Sequence, residues 1–149
     1  MADVHTYYLT VPAAAIDANG HVGNVEYLRW LMDAAEDHAT CVGWPTDRCR
    51  AQGATWVVRR HEIHYLRPAF AGERLAVQTW VASLSRAQSQ RQYRIWRPAD
   101  AAELARGATD YVFFDLERQR PRLIPRELIA AFPIAGVEPS APPPAPDHA

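Results

Sequence analysis

One long amphipathic segment, set ahead of a train of strand-like ones, constrains this chain more than any other feature. From Asn24 the residues Leu28, Leu31, Met32, Ala35, Ala39 and Val42 recur at three- and four-residue spacing, with Tyr27, Trp30 and Ala34 beside them. Glu26, Arg29, Asp33, Glu36, Asp37 and Thr40 occupy the other side. This pattern predicts a helix of roughly five turns with a wide apolar face. Asn24 is the expected N-cap and Glu26 sits at the positive end of the dipole. Gly43 and Pro45 end the segment.

The remaining periodicity is mostly twofold. Tyr7, Leu9 and Val11 alternate with threonines and Tyr8 up to Pro12, which predicts a first strand before the helix. After a polar connection over Thr46–Gly53, strands are expected over Ala54–Leu66, Glu73–Leu84, Gln88–Arg97 and Ala101–Leu116. A short helix is expected from Pro125 to Phe132. Strands in series on short turns pair antiparallel, and a lone amphipathic helix must bury its apolar face on them. The expected fold class is therefore α+β, a central helix wrapped by a curved antiparallel sheet of about five strands. The expected domain spans residues 1–135, and the Pro-rich residues 136–149 are expected to form a disordered tail.

Composition excludes several classes. Sixteen basic residues stand against seventeen acidic ones in 149 residues, and every basic residue is Arg. Such balance argues against a nonspecific nucleic-acid binder. Cys41 and Cys49 make no disulfide framework and no zinc-type spacing. Met1–Tyr8 lacks the basic and apolar regions of a signal peptide, and no apolar run reaches membrane-spanning length, so a cytoplasmic protein without membrane partners is expected. His61-Glu62-Ile63-His64 is not a metal-site motif, because His61 and His64 would point to opposite faces of a strand. No metal and no cofactor are expected.

The chemistry concentrates in the loop entering the helix, Asp17-Ala18-Asn19-Gly20-His21-Val22-Gly23-Asn24. It gathers a carboxylate, an amide and an imidazole at a helix N-terminus, whose unsatisfied N–H groups can hold a developing oxyanion. Asp17 is the candidate base or nucleophile, with Asn19 and His21 orienting a water or polarising a carbonyl. Read from the residues alone, the same loop also fits a plain Asx turn and helix cap.

The run D-A-N-G-H-V-G-N-V-E-Y-L-R-W, from Asp17 to Trp30, resembles the loop-and-helix signature of the hotdog-fold acyl thioesterases. His64–Glu73 resembles that family's second-strand exit, and Arg120–Pro125 its R-P-x-x-I-P segment. The resemblance covers roughly residues 5–132 and touches two branches. The 4-hydroxybenzoyl-CoA thioesterase-like branch places its catalytic Asp on Asp17 and its oxyanion-hole region on Gly20 to Val22. The acyl-acyl-carrier-protein branch places Asp, Asn and His on Asp17, Asn19 and His21. Gly23 stands where the second branch has Asn, Ala15 where the first often has Asp, and Pro68 where the carrier-protein branch has an acidic residue.

The resemblance implies hydrolysis of acyl-CoA thioesters, with Asp17, Asn19, Gly20, His21 and Val22 catalytic. It also implies substrate or CoA contacts from Asn24, Tyr27, Arg86 and Arg91, the arginines flanking a polar turn near the CoA phosphates. Self-association as a homodimer or dimer of dimers is implied too. The rival readings are an acyl-carrier-protein thioesterase, a hotdog hydratase or dehydratase, and a non-catalytic acyl-CoA-binding protein.

Overall fold

The computed structural model describes residues 3–135 and 138–145. Strand β1 (His5–Thr10) leads through a single 3₁₀ turn (Ala13–Ala15) to helix α1 (Asn24–Cys41). A short helix α2 (Thr46–Ala51) follows, then strands β2 (Ala54–Tyr65), β3 (Arg74–Ser85), β4 (Gln88–Arg97), β5 (Ala102–Asp115) and β6 (Arg120–Pro121), and helix α3 (Arg126–Ala131). The expected strands are present to within a residue or two at each end. Helix α2 falls where a featureless connection was expected, and the two-residue β6 adds a sixth strand to the sheet.

The antiparallel sheet runs β1-β3-β4-β5-β2, with β6 beside β5. Short turns join β3 to β4 and β4 to β5, so those strands are neighbours. The chain segment holding α1 leaves β1 at one edge and delivers β2 to the other. The sheet curls around α1, whose Tyr27, Trp30, Leu31 and Ala34 are buried against Leu75, Val77, Tyr93, Ile95 and Leu104. A second cluster under the other end of α1 gathers Trp44, Cys49, Phe113, Leu128 and Phe132. Burial of a large aliphatic or aromatic side chain stabilises by about 1.5–3 kcal/mol, so these two clusters supply most of the drive to fold.

Helix and sheet meet tightly at Gly107. A Cβ built there would lie 3.0 Å from Leu31 Cδ1 and 3.3 Å from the Glu62 carbonyl oxygen. Leu31 occupies the space that a side chain on β5 would need.

Of the Pro-rich segment expected to be disordered, residues 138–145 carry no helix or strand. Glu138 pairs with Arg94 at 2.6 Å, the Pro139 carbonyl accepts from Arg94, and the Pro144 carbonyl accepts from the Tyr8 hydroxyl at 2.8 Å. Residues 136–137 and 146–149 lie outside the described residues.

The Leu31 contact predicts that Gly107→Val overpacks the core and lowers unfolding free energy by about 1–3 kcal/mol. Chemical denaturation checks this, and Gly107→Val combined with Leu31→Ala should cost less than the sum of the two single substitutions.

Candidate active site

Between β1 and α1 the chain doubles back on itself, with Ile16 and Val22 bridged antiparallel. Asp17 N–H donates to the His21 carbonyl (2.9 Å), Gly23 N–H to Ala15 (3.1 Å) and Val22 N–H to Ala69 on the segment after β2 (2.9 Å). The tip closes as an Asx turn. Asn19 N–H donates to Asp17 Oδ1 (2.8 Å) and Gly20 N–H to the Asp17 carbonyl (3.1 Å), with Gly20 at φ 83°. Only a residue without Cβ takes that backbone conformation without strain.

Two expectations change here. Gly23, not Asn24, is the N-cap: it is extended (φ −68°, ψ 145°), and no side chain caps the helix. Asn24 is already helical. Val22, expected to help hold an oxyanion, has spent its N–H on Ala69. Among the described residues, the amides of Asn24 and Val25 have no acceptor. They are first-turn groups that no intrahelical carbonyl can reach. The open donors therefore lie one turn further into α1 than expected.

The loop and the start of α1 line a pocket of about 510 Å³ with Asp17, Asn19, His21, Val22, Asn24 and Tyr27. Tyr65, Leu66, Arg67 and Pro68 form its other wall. Six of the nine residues expected from sequence thus meet in one pocket; Gly20 shapes the turn behind it.

Each wall is tied in place. The Tyr65 hydroxyl donates to the Asn24 carbonyl at 3.2 Å, and its ring meets Tyr27 edge-on at 5.2 Å. Burial pushes the Tyr27 phenol above its usual pKa, so Tyr27 is a neutral wall. His21 Nδ1 lies 3.3 Å from the Val22 carbonyl. A carbonyl only accepts, so Nδ1 carries the hydrogen and Nε2 is left for the pocket. Asp17 is exposed, with one oxygen engaged by its own turn.

The two arginines expected at the CoA nucleotide lie elsewhere in this protomer. Arg86 is exposed at the β3–β4 turn with φ 57°, at the far end of the twelve-residue β3. Arg91 is only 6% exposed. Its Nη1 donates to His38 Nδ1 (2.9 Å) and Thr79 Oγ1 (3.0 Å), so a surface phosphate contact is excluded. The cation that sequence reasoning missed is Arg67, which stands exposed on the pocket wall. Its signal was its place in the quoted His64–Glu73 segment. His61 bonds inward to Thr109 Oγ1 (2.9 Å) while His64 meets Glu62 outside (3.2 Å), so the two histidines do point apart.

Comparison with known proteins bears on the family and the fold. The model of the thioesterase-like superfamily matches residues 11–132. The chain belongs to the thioesterase-like superfamily. A 1,4-dihydroxy-2-naphthoyl-CoA thioesterase from Synechocystis is similar at 23% identity, over 87% of this chain and 95% of that one, with TM-score 0.82. A hypothetical protein from Thermus thermophilus is similar at 27% identity, over 86% and 96%, with TM-score 0.79. A DHNA-CoA thioesterase from Staphylococcus aureus is similar at 21%, over 87% and 88%, with TM-score 0.80. No curated protein matches the chain. The thioesterase fold of these relatives is the hotdog fold, as the resemblance implied. Among the described residues, no helix is long and apolar enough to cross a membrane.

The Arg91 network makes a titration prediction. His38 is buried, which lowers its pKa, and Arg91 and the stacked His5 ring lower it further, to about 3. An unfolded His near 6.5 takes a proton that the folded His38 refuses. Stability contributed by neutral His38 is therefore full above about pH 6.5 and is lost as pH falls toward 3. The expected signature is a slope approaching one proton in unfolding free energy across that window, absent in His38→Gln.

Proposed function

We propose that this thioesterase-like protein hydrolyses acyl-CoA thioesters to the free acid and CoA. One observation carries the reading: Asp17 shares a pocket with the start of a helix whose first amides are uncapped. The thioester carbonyl oxygen rests on the Asn24 and Val25 N–H groups, where preformed donors and the helix dipole favour the charge that develops on attack. Asp17 supplies the attack, either by adding to the carbonyl carbon or by taking the proton of an adding water. A C–O bond forms, the C–S bond breaks, and CoA leaves as the thiolate and takes up a proton. On the covalent route, water then cleaves the acyl-aspartyl anhydride. His21 Nε2 and the Asn19 side chain orient the water. Arg67 meets the phosphates of CoA, since a guanidinium presents paired donors to such groups.

The sheet supports a self-associated form. The twelve-residue β2 ends the strand order, with Val57 and Val58 exposed on it. A long edge of this kind is a template for pairing. Antiparallel pairing of two β2 edges about a twofold axis sets the Tyr65 end of one subunit beside the Ala54 end of the other. Such a homodimer, or a dimer of dimers, is the assembly we propose, acting in the cytoplasm. Arg86 would approach a CoA only from the second subunit.

An acyl-carrier-protein thioesterase is the second reading, favoured by Asn19 and His21 lining the same pocket as Asp17. Matched acyl-CoA and acyl-carrier-protein substrates separate the two by kcat/KM.

Asp17→Asn keeps the oxygen that accepts the Asn19 amide, so the turn should survive. It should lower kcat on acyl-CoA by roughly 10²–10⁴, the range of acid–base catalysis, with the circular dichroism spectrum unchanged. Turnover at the level of the unaltered protein would contradict the role of Asp17.

A further inference from the structure

A second pocket, of about 260 Å³, opens beyond the middle of α1 and holds a charge that nothing above uses. Its walls are apolar: Met32 and Ala39 from α1, Trp56 and Val58 from β2, Leu84 from β3 and Phe132 after α3. Arg91, Ser89, Tyr111, Glu36 and Thr46 supply the polar lining.

Arg91 is the unusual member. It is nine-tenths buried, and its two hydrogen bonds, both from Nη1, go to His38 and Thr79. Neither partner is an anion, since the buried His38 is neutral. Every carboxylate paired with an arginine among the described residues is paired with a different one. The one carboxylate on the pocket wall, Glu36, is engaged at the start of α2, accepting from the Thr46 amide (2.9 Å) and hydroxyl (2.6 Å). A buried cation without a counter-charge is costly, and proteins seldom keep one unless something pairs with it. The remaining guanidinium edge lines an apolar space. A cavity of about 150 Å³ takes a benzene ring, so this one has room for a ring or short chain with a charged end.

We propose that this pocket binds a carboxylate carried on an apolar body of about benzoyl or hexanoyl size, the charge meeting Arg91. The carboxylate has two possible sources: the far end of an acyl group whose thioester is held at a second subunit's active site, since His38 stands about 21 Å along α1 from Asn24, or a free carboxylic acid such as the product. The first source rests on the thioesterase reading; binding itself does not.

Calorimetry on the full chain tests it, with benzoate and hexanoate against benzamide and hexanamide. The acids should bind tighter than the amides by roughly tenfold to a hundredfold, the reach of a charge-assisted hydrogen bond. Ala39→Leu fills the pocket without touching Arg91 and should abolish binding of both. Arg91→Met, where it folds, should remove the preference for the acid. No binding, equal binding of acid and amide, or acid binding unchanged in Ala39→Leu would each overturn the proposal. Hydrolysis of adipoyl-CoA against hexanoyl-CoA then assigns the source. A kcat/KM preference for adipoyl-CoA that Ala39→Leu removes places the carboxylate on the substrate. Acid binding without that preference places it on a free acid. Absence of turnover on both esters would sink the thioesterase reading and leave the binding result standing.

Discussion

The active-site geometry depends on two backbone hydrogen bonds, Val22 to Ala69 and Gly23 to Ala15. They keep the chain extended up to the residue before α1, so the helix begins abruptly and without a side-chain cap. A helix whose first amides are left open is normally destabilised by a missing cap, typically by about 1 kcal/mol. Here the α1 face buried on the sheet offsets that loss. The open amides become available to a ligand because packing, not capping, fixes where the helix starts. A Cβ at Gly23 would rest in ordinary contact with the Asp17 side chain, at 3.6 Å.

The same logic links the loop to the sheet. Ala69 follows β2, and β2 also delivers Tyr65, Leu66 and Arg67 to the pocket. The junction of β1, α1 and β2 is therefore one connected unit, in which the Asp17 carboxylate, the open amides of α1 and the pocket wall share their supports. The far end of α1 is built differently, around Arg91, His38 and the Phe132 ring.

Local pattern made much of this readable. Strand β4 was legible over Gln88–Arg97 because alternation and flanking turns agree. Helix α2 was not, since TDRCRA buries only Cys49 and so shows no period. Asp17, Asn19 and His21 were legible because they lie within five residues of one another in a single loop. The open amides of α1 were not, because the bond that removes Val22 from use comes from Ala69, far along the chain. Arg91 was misplaced for a different reason. It alternates in register with Tyr93 and Ile95, both fully buried. That period points inward, whereas the resemblance implies a place beside the CoA phosphates. The abundance of Arg over Lys thus hides a division of labour: Arg67 on the pocket wall, Arg91 in the core, and Arg94 and Arg97 in ion pairs.

The central claim is that the first amides of α1 receive the thioester oxygen. Amide chemical shifts on a ¹⁵N-labelled sample, with a non-hydrolysable ketone analogue of an acyl-CoA added, address it directly. The account predicts the largest changes at Asn24 and Val25, with Val22 and Gly23 less affected because their N–H groups stay on Ala69 and Ala15. Changes centred on other amides, with Asn24 and Val25 unmoved at saturation, would contradict it.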